Sequence, residues 1–464
     1  MDNTTIAQTA LVDRDLCRRF DISGPRYTSY PTADRFQADP GAQLLVDALR
    51  QRSALDQPLS LYVHLPFCSK VCYYCGCNKV ITKDHNKSSR YLDYLEREID
   101  MQVAELAGPR TVTQLHWGGG TPTFLSYEQM KRLMDATRAH FNLHDDDSGE
   151  YSIEVDPRET NDRTIAQLRE LGFNRISLGL QDFDQEVQKA VNRLQSKEQT
   201  FAVLEAARKE GFRSTNVDLI YGLPKQTEAT FAGTLEQVLV YAPDRFSIFN
   251  YAHMPSRFKT QRQINEADLP SPADKLEILQ MIGRKLTEAG YVYIGMDHFA
   301  KPDDELAVAQ REGKLYRNFQ GYSTHSDCDL VGLGITSIGR VGDAYIQNYK
   351  ELDEYDAAIS QGKLPVYRGV ELDGDDKLRR AVITQLICHF DLCFSAIERE
   401  FGIVFADYFK PELEQLKTME ADGLLSLCAE RIHVLSAGRM LIRNICMVFD
   451  KYLARKQQQF SRVI

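Results

Sequence analysis

Between residue 59 and about residue 251 the chain alternates short runs rich in β-branched and aromatic residues with longer amphipathic stretches. That rhythm permits few folds, because parallel strands need crossover connections and helices supply them. Strands are predicted at residues 60–63, 114–117, 152–155, 175–178, 216–220 and 247–251. Over residues 91–106, Leu92, Leu95, Ile99, Val103 and Leu106 share one helical face, with Ser88 and Ser89 as the expected caps. A second helix over 276–286 follows Ser271 and Pro272, a capping serine and a proline suited to the first turn. Six such units are expected to curve into an incomplete (β/α)6, TIM-like barrel, an α/β fold whose chemistry sits at the carboxyl ends of the strands.

The remainder divides around that barrel. Residues 1–58 read as an amino-terminal arm, 59–364 as the barrel with accessory elements, and 365–464 as a smaller, mostly helical carboxyl-terminal domain. In this last part Leu378, Val382, Leu386 and Phe390 hold helical register, and a small hairpin over 424–435 suggests a winged-helix arrangement. A net charge of −10 over 464 residues argues against a nucleic-acid partner. Residues 1–10 lack the charged start and apolar core of a secretion signal, and no run approaches the length of a membrane span, so a cytoplasmic protein with no membrane partner is expected.

Directly after the first strand stand Cys68, Cys72 and Cys75, at the spacing C-x3-C-x2-C. A loop of this kind suits an iron-sulfur cube, and three thiolates on four irons leave one iron open for chemistry. Zinc is the competing reading, but zinc ribbons pair one C-x2-C with a second some fifteen residues on, and none follows here. Cys17, Cys328, Cys388, Cys393, Cys428 and Cys446 are scattered and read as small apolar residues.

Gly118, Gly119 and Gly120, followed by Thr121 and Pro122, come directly after the second predicted strand. Without Cβ atoms they let backbone approach a ligand closely. On the third strand Ser152, Glu154 and Asp156 alternate with apolar residues, as do Asn216 and Asp218 on the fifth, while Gln181 stands just past the fourth. Carboxylates facing a barrel interior are costly unless they meet a cation or hydroxyl groups. His64, Asp297 and His298 also lie near strand ends and receive no role.

The cysteine loop resembles the signature of the radical S-adenosylmethionine superfamily. Longer runs narrow this: residues 26–32 (Arg-Tyr-Thr-Ser-Tyr-Pro-Thr), 154–158 (Glu-Val-Asp-Pro-Arg), 218–224 (Asp-Leu-Ile-Tyr-Gly-Leu-Pro) and 295–299 (Gly-Met-Asp-His-Phe) make the chain similar to the oxygen-independent coproporphyrinogen III oxidase (dehydrogenase) family from about Arg26 onward. The resemblance implies one [4Fe-4S] cluster on Cys68, Cys72 and Cys75. It implies two molecules of S-adenosylmethionine: the first touching Tyr62, Gly119, Glu154 and Ala252, the second near Tyr74, Gly120, Thr121, Gln181, Arg193 and Asp218, with Ile338 lining a binding site. Cys77 matches a fourth family cysteine whose C-x-C spacing is awkward for the same cluster, so its role is open, catalysis included. Tyr74 departs from an aromatic that is often phenylalanine, a change a backbone contact tolerates.

The implied reaction converts two propionates of coproporphyrinogen III to vinyl groups, giving protoporphyrinogen IX, after a 5′-deoxyadenosyl radical removes a hydrogen from each β-carbon. Reduced flavodoxin or ferredoxin would be the electron donor, the protein a monomer, and the arm around Arg26 a cover for the substrate site, with Arg26 facing a substrate carboxylate. Two other readings compete. A sister branch that binds haem as a chaperone typically lacks both the Cys75-Gly76-Cys77 step and the arm motif. A plain electron carrier would need Cys77 as last ligand and no glycine loop.

Overall fold

A computed structural model describes residues 14–38, 41–52, 57–326 and 328–453. The segment read for a secretion signal, residues 1–10, and the side chain of Cys17 lie outside the described residues. All six predicted strands are present: β1 (Leu59–Leu65), β2 (Thr111–Gly119), β3 (Glu150–Val155), β4 (Arg175–Gln181), β5 (Ser214–Tyr221) and β6 (Arg245–Asn250). They lie side by side in chain order, every neighbouring pair parallel. Beyond β6 come β7 (Val292–Gly295) and β8 (His298–Ala300), with β8 antiparallel to β6.

The alternation in sequence stops short of the whole parallel sheet. A further parallel strand, β9 (Asp329–Leu333), pairs with the free side of β1 and leads into three antiparallel strands, β10 (Ile338–Val341), β11 (Ala344–Asn348) and β12 (Val366–Glu371). The two ends of the strand path do not pair, so the curved sheet stays open as an incomplete barrel. Within β3, β4 and β5 the apolar residues other than Ile220 are buried, while Ser152, Glu154, Ser177, Gln181, Asn216, Asp218 and Ile220 face a central hollow. The period-two pattern thus separates helix-packed core from polar interior.

Helix α1 (His85–Glu105) begins earlier than its apolar face suggests. Asp84, whose carboxylate accepts from the Asn86 amide, is the cap, and Ser88 and Ser89 instead sit inside the first turns, each donating to the His85 carbonyl. Helix α2 (Pro272–Glu288) starts as expected, with a Ser271 capping box and proline in the first turn. From α1, Glu98 reaches into the closing segment. It is fully buried and accepts from Tyr355, Gly334, Asn348 and Gln102 at 2.6, 2.7, 2.6 and 3.0 Å.

After β12 the order is helix α3 (Gly374–His389), a strand Asp391–Cys393, helices including Phe394–Phe401 and Lys410–Ala421, then the hairpin Leu425–Cys428 with Arg431–Val434. The three strands form one small antiparallel sheet. Phe390 ends α3 in the left-handed conformation rather than continuing its face. A separate apolar core joins this region to the arm through Leu16, Tyr27 and Tyr30. The arm is pinned by Tyr27 donating to Asp450 at 3.0 Å and by the Lys451 amide donating to the Tyr30 hydroxyl at 3.1 Å. Of the scattered cysteines, Cys328, Cys388 and Cys446 are core residues, whereas Cys393 is half-buried and Cys428 exposed. No described helix is long and apolar enough to cross a membrane.

Candidate active site

The hollow inside β1 to β6 is a cavity of about 470 Å³ that runs from Glu150, Arg175, Ser214 and Arg245 at the strands' starts to the cysteine loop beyond their carboxyl ends. Cys68, Cys72, Cys75 and Cys77 form part of its wall, because the cysteine loop leaves β1 at Pro66 and folds over the strand ends. The glycine loop holds it there. The Gly120 amide donates to the Leu65 carbonyl and the Thr121 amide to that of Phe67, both at 2.8 Å. A Cβ on Gly120 would lie 2.6 Å from the Pro66 carbonyl, so only glycine permits this approach. Gly119, at φ +116°, sits against the His64 ring, and its amide donates to Glu154 at 3.1 Å.

The sulfur atoms are met by donors. Thr121 donates to Cys68, and Arg158 and Arg193 both donate to Cys72, each at 3.5 Å. Asp156 organises the arginines, accepting from Arg158 at 2.6 Å and from Arg193 at 3.1 Å. Burial works against its ionisation, yet Arg193 and Arg158 bring its carboxyl down to about 2. Asp156, expected on the ligand-facing side, is therefore spent on positioning two guanidinium groups. Arg158 is a site residue beyond those expected from sequence, and the Asp-Pro-Arg step that places it two residues past the carboxylate is its local signal. A hydrogen bond from Cys77 brings Cys75 down to about 6, with Lys79 adding to the effect against burial, whereas burial raises Cys68 to about 12.

This donor set fits an anionic iron-sulfur group: three thiols on one loop, two of them hydrogen-bonded from fixed side chains. Among the described residues no three His, Cys, Asp or Glu side chains close on a single-ion site.

Most of the remaining predicted residues converge here. Gly119, Gly120, Thr121, Glu154, Tyr74, Gln181, Arg193 and Asp218 all line the cavity. Asp218 accepts from Ser177 and Asn216 at 2.8 Å each, while burial and the nearby Glu154 raise it to about 6. Tyr62, Ala252 and Ile338 stand outside the lining. Tyr62 donates toward His64 at 3.0 Å and stacks on His116. Ala252 is tied to Tyr74 through Gln261, whose amide donates to both backbone carbonyls. Ile338 packs with Phe36, Tyr345 and Leu372 on β10. His64 is held neutral, down to about 4, by burial and supports the glycine loop. Arg26 is paired with Asp297, so the guanidinium expected to face a substrate carboxylate already has a partner.

His116 is a further cavity residue that the sequence reading passed over. It contacts Ser152 at 2.5 Å and Glu154 at 3.4 Å, and alternation along β2, with Gln114 and His116 on one side, was the available signal.

Comparison with known proteins identifies the family. A model described as the Radical SAM superfamily matches residues 62–238, and one described as the HemN C-terminal domain matches residues 372–441. The chain is 56% identical over 453 residues to the oxygen-independent coproporphyrinogen III oxidase of Pseudomonas aeruginosa, covering 97% of this chain and 98% of that protein. It is 53% identical to the enzyme of that name from Escherichia coli, at the same coverage, and 44% identical to that of Synechocystis, covering 99% and 100%. The solved structure of the Escherichia coli coproporphyrinogen III oxidase (HemN), described as a radical SAM enzyme, superposes with a TM-score of 0.90 at 52% identity, over 96% of this chain and 100% of that one. Cysteine loop, open α/β barrel and full-length similarity agree: the chain belongs to the oxygen-independent coproporphyrinogen III oxidase family of radical SAM enzymes, oxidoreductases that use a [4Fe-4S] cluster and S-adenosylmethionine.

Proposed function

We propose that this enzyme decarboxylates two propionate side chains of coproporphyrinogen III without oxygen, giving protoporphyrinogen IX. The observation that carries the reading is a single cavity joining the three cluster cysteines to the glycine loop and to Glu154, in a chain of this family. Each propionate loses a hydrogen atom from its β-carbon, carbon dioxide and one electron, leaving a vinyl group. Bound S-adenosylmethionine would supply the abstracting group, ending with that hydrogen atom and one donor-derived electron as methionine and 5′-deoxyadenosine, while the electron lost by each propionate would pass to an electron acceptor. The bound cluster and cofactor supply the one-electron chemistry.

The chain's own residues supply placement. Cys68, Cys72 and Cys75 hold the cluster, with Arg158, Arg193 and Thr121 donating to two of the sulfurs. Gly119 and Glu154 serve the first S-adenosylmethionine from the cavity wall, Tyr62 and Ala252 serve it from just behind that wall beside His116 and Tyr74, and Ile338 lines a binding site beyond the present cavity. Tyr74, Gly120, Thr121, Gln181, Arg193 and Asp218 serve a second molecule. The arm, residues 1–58, covers the substrate site of a barrel spanning 59–364, and 365–464 buttress it; pinning of Tyr27 and Tyr30 to the carboxyl-terminal region supports this division. A reduced flavodoxin or ferredoxin delivers the electron to a monomer in a reducing compartment, where unpaired thiols persist.

An anaerobic assay of cluster-reconstituted protein with coproporphyrinogen III, S-adenosylmethionine and a reductant tests the proposal, with tetrapyrroles and 5′-deoxyadenosine followed by mass spectrometry. Divinyl product with two deoxyadenosines per tetrapyrrole is expected. Deoxyadenosine without divinyl product would overturn the substrate.

A further inference from the structure

Arg317 stands on the short strand Tyr316–Asn318, directly across from Tyr322 on Gly321–Ser323. Its guanidinium carbon lies 4.7 Å from the centre of the Tyr322 ring. The residue is only 7% exposed, yet its Nε and Nη1 meet no acceptor. Three neighbouring cations are paired with carboxylates, Arg26 with Asp297, Arg175 with Glu305, and Arg245 with Asp304 at 2.8 Å, while Arg443 donates to the backbone carbonyls of Gly24 and Pro25. An arginine keeps its charge at any physiological pH, so burial cannot be relieved by losing a proton, and a ring face offsets it only partly. What is missing is an anion.

Arg317 is held against Tyr322, a residue of the cavity wall, and that wall carries a second unpartnered group. His298, on β8, lines the cavity and packs edge-on against Tyr322, 5.3 Å between ring centres, and its buried Nδ1 has no partner. Burial, reinforced by Arg317, Arg26 and Arg245, holds its imidazole neutral, able to offer one N–H. Along the sheet β8 stands six strand spacings from β1, each ~4.8 Å, and curvature brings it round to the same hollow as the cysteine loop.

We propose that Arg317, with His298 beside it, seats a carboxylate of the substrate, and that this carboxylate belongs to a propionate not under attack. The inference rests on the reading of coproporphyrinogen III as substrate. That molecule carries four propionates around its ring, so when one side chain faces the cysteine loop others reach the far wall. A carboxylate held by a buried guanidinium is also poorly placed to depart as carbon dioxide. The seat therefore sets which edge of the macrocycle is presented to the cofactor loop. No residue inferred from the sequence alone carries this function, and Arg26, the expected partner, is already neutralised.

Anaerobic fluorescence titration of the cluster-loaded protein with coproporphyrin III, the oxidised tetracarboxylate, in the absence of S-adenosylmethionine tests the seat without turnover. R317Q is expected to weaken binding about 30-fold or more, the usual consequence of stranding a buried charge, with R317K in between. Unchanged affinity in R317Q, with the wild type binding, would overturn the seat and leave the proposed function standing. Failure of the wild type to bind coproporphyrin III would count against the substrate itself, and the seat with it. If circular dichroism shows R317Q to be unfolded, H298Q decides: a loss of roughly threefold to tenfold supports the proposal, and unchanged affinity overturns it.

Discussion

Replacing Glu98 by glutamine should loosen the closing side of the barrel, and the cost follows from counting donors. Oε2 accepts from the Tyr355 hydroxyl and the Gly334 amide, and Oε1 from the side-chain amides of Asn348 and Gln102. All four partners are donors, which suits an ionised carboxylate, a group that only accepts and has about four lone-pair sites. Glutamine keeps one oxygen and turns the other into an amide that confronts two donors. Solvent cannot substitute, because Glu98 is 0% exposed. At ~1–3 kcal/mol for each buried donor left without an acceptor, E98Q should cost about 2–6 kcal/mol. The single tryptophan, Trp117, is fully buried on β2 against Phe173, so its fluorescence in a denaturant titration reports the barrel transition directly. Hydrogen exchange should also quicken at the Gly334 turn, on β11 and in the helix Leu352–Ser360, all held through Glu98, while β5 is spared. A transition within about 0.5 kcal/mol of wild type, or unchanged exchange at the Gly334 turn, would refute the donor count.

Three further outcomes are expected. C68A, C72A and C75A should each lose bound iron and S-adenosylmethionine cleavage while keeping the far-ultraviolet dichroism of the folded chain; cleavage retained in any of them removes that cysteine from the ligand set. G120A should lower iron incorporation and stability by about 1–3 kcal/mol, because its new methyl meets Pro66 backbone at 2.6 Å, and iron analysis after reconstitution reads it. E154Q should keep the cluster and weaken S-adenosylmethionine binding in an equilibrium titration; an unaltered dissociation constant would confine Glu154 to supporting Gly119 and His116.

Much of the site is legible before any folding is considered, because the information is local. The spacing of Cys68, Cys72 and Cys75, three consecutive glycines after a strand, and the alternation Ser152, Glu154, Asp156 all act over a few residues, and each ends on the cavity rim or its wall. Six strands and the α2 cap were likewise set by period and by short-range hydrogen bonding. The Asp84 cap was locally written too, but the apolar face of α1 begins later and drew attention to Ser88 and Ser89.

What only tertiary structure decided involves partners far apart in the chain. Asp156 could have met a ligand; Arg193, arriving from beyond β4, turned it into a clamp that aims two guanidinium groups at Cys72. The strand β9 joins β1 from some 270 residues downstream, with no repeating pattern to announce it. Arg317 looks like any surface arginine in sequence, and only the fold buries it beside Tyr322 with no carboxylate to answer its charge. Periodicity and spacing determine which faces are apolar and which residues can share a loop. Which charges are neutralised and which are left waiting depends on long-range packing, since pairing energy in a buried site is set by distance and desolvation rather than by position along the chain.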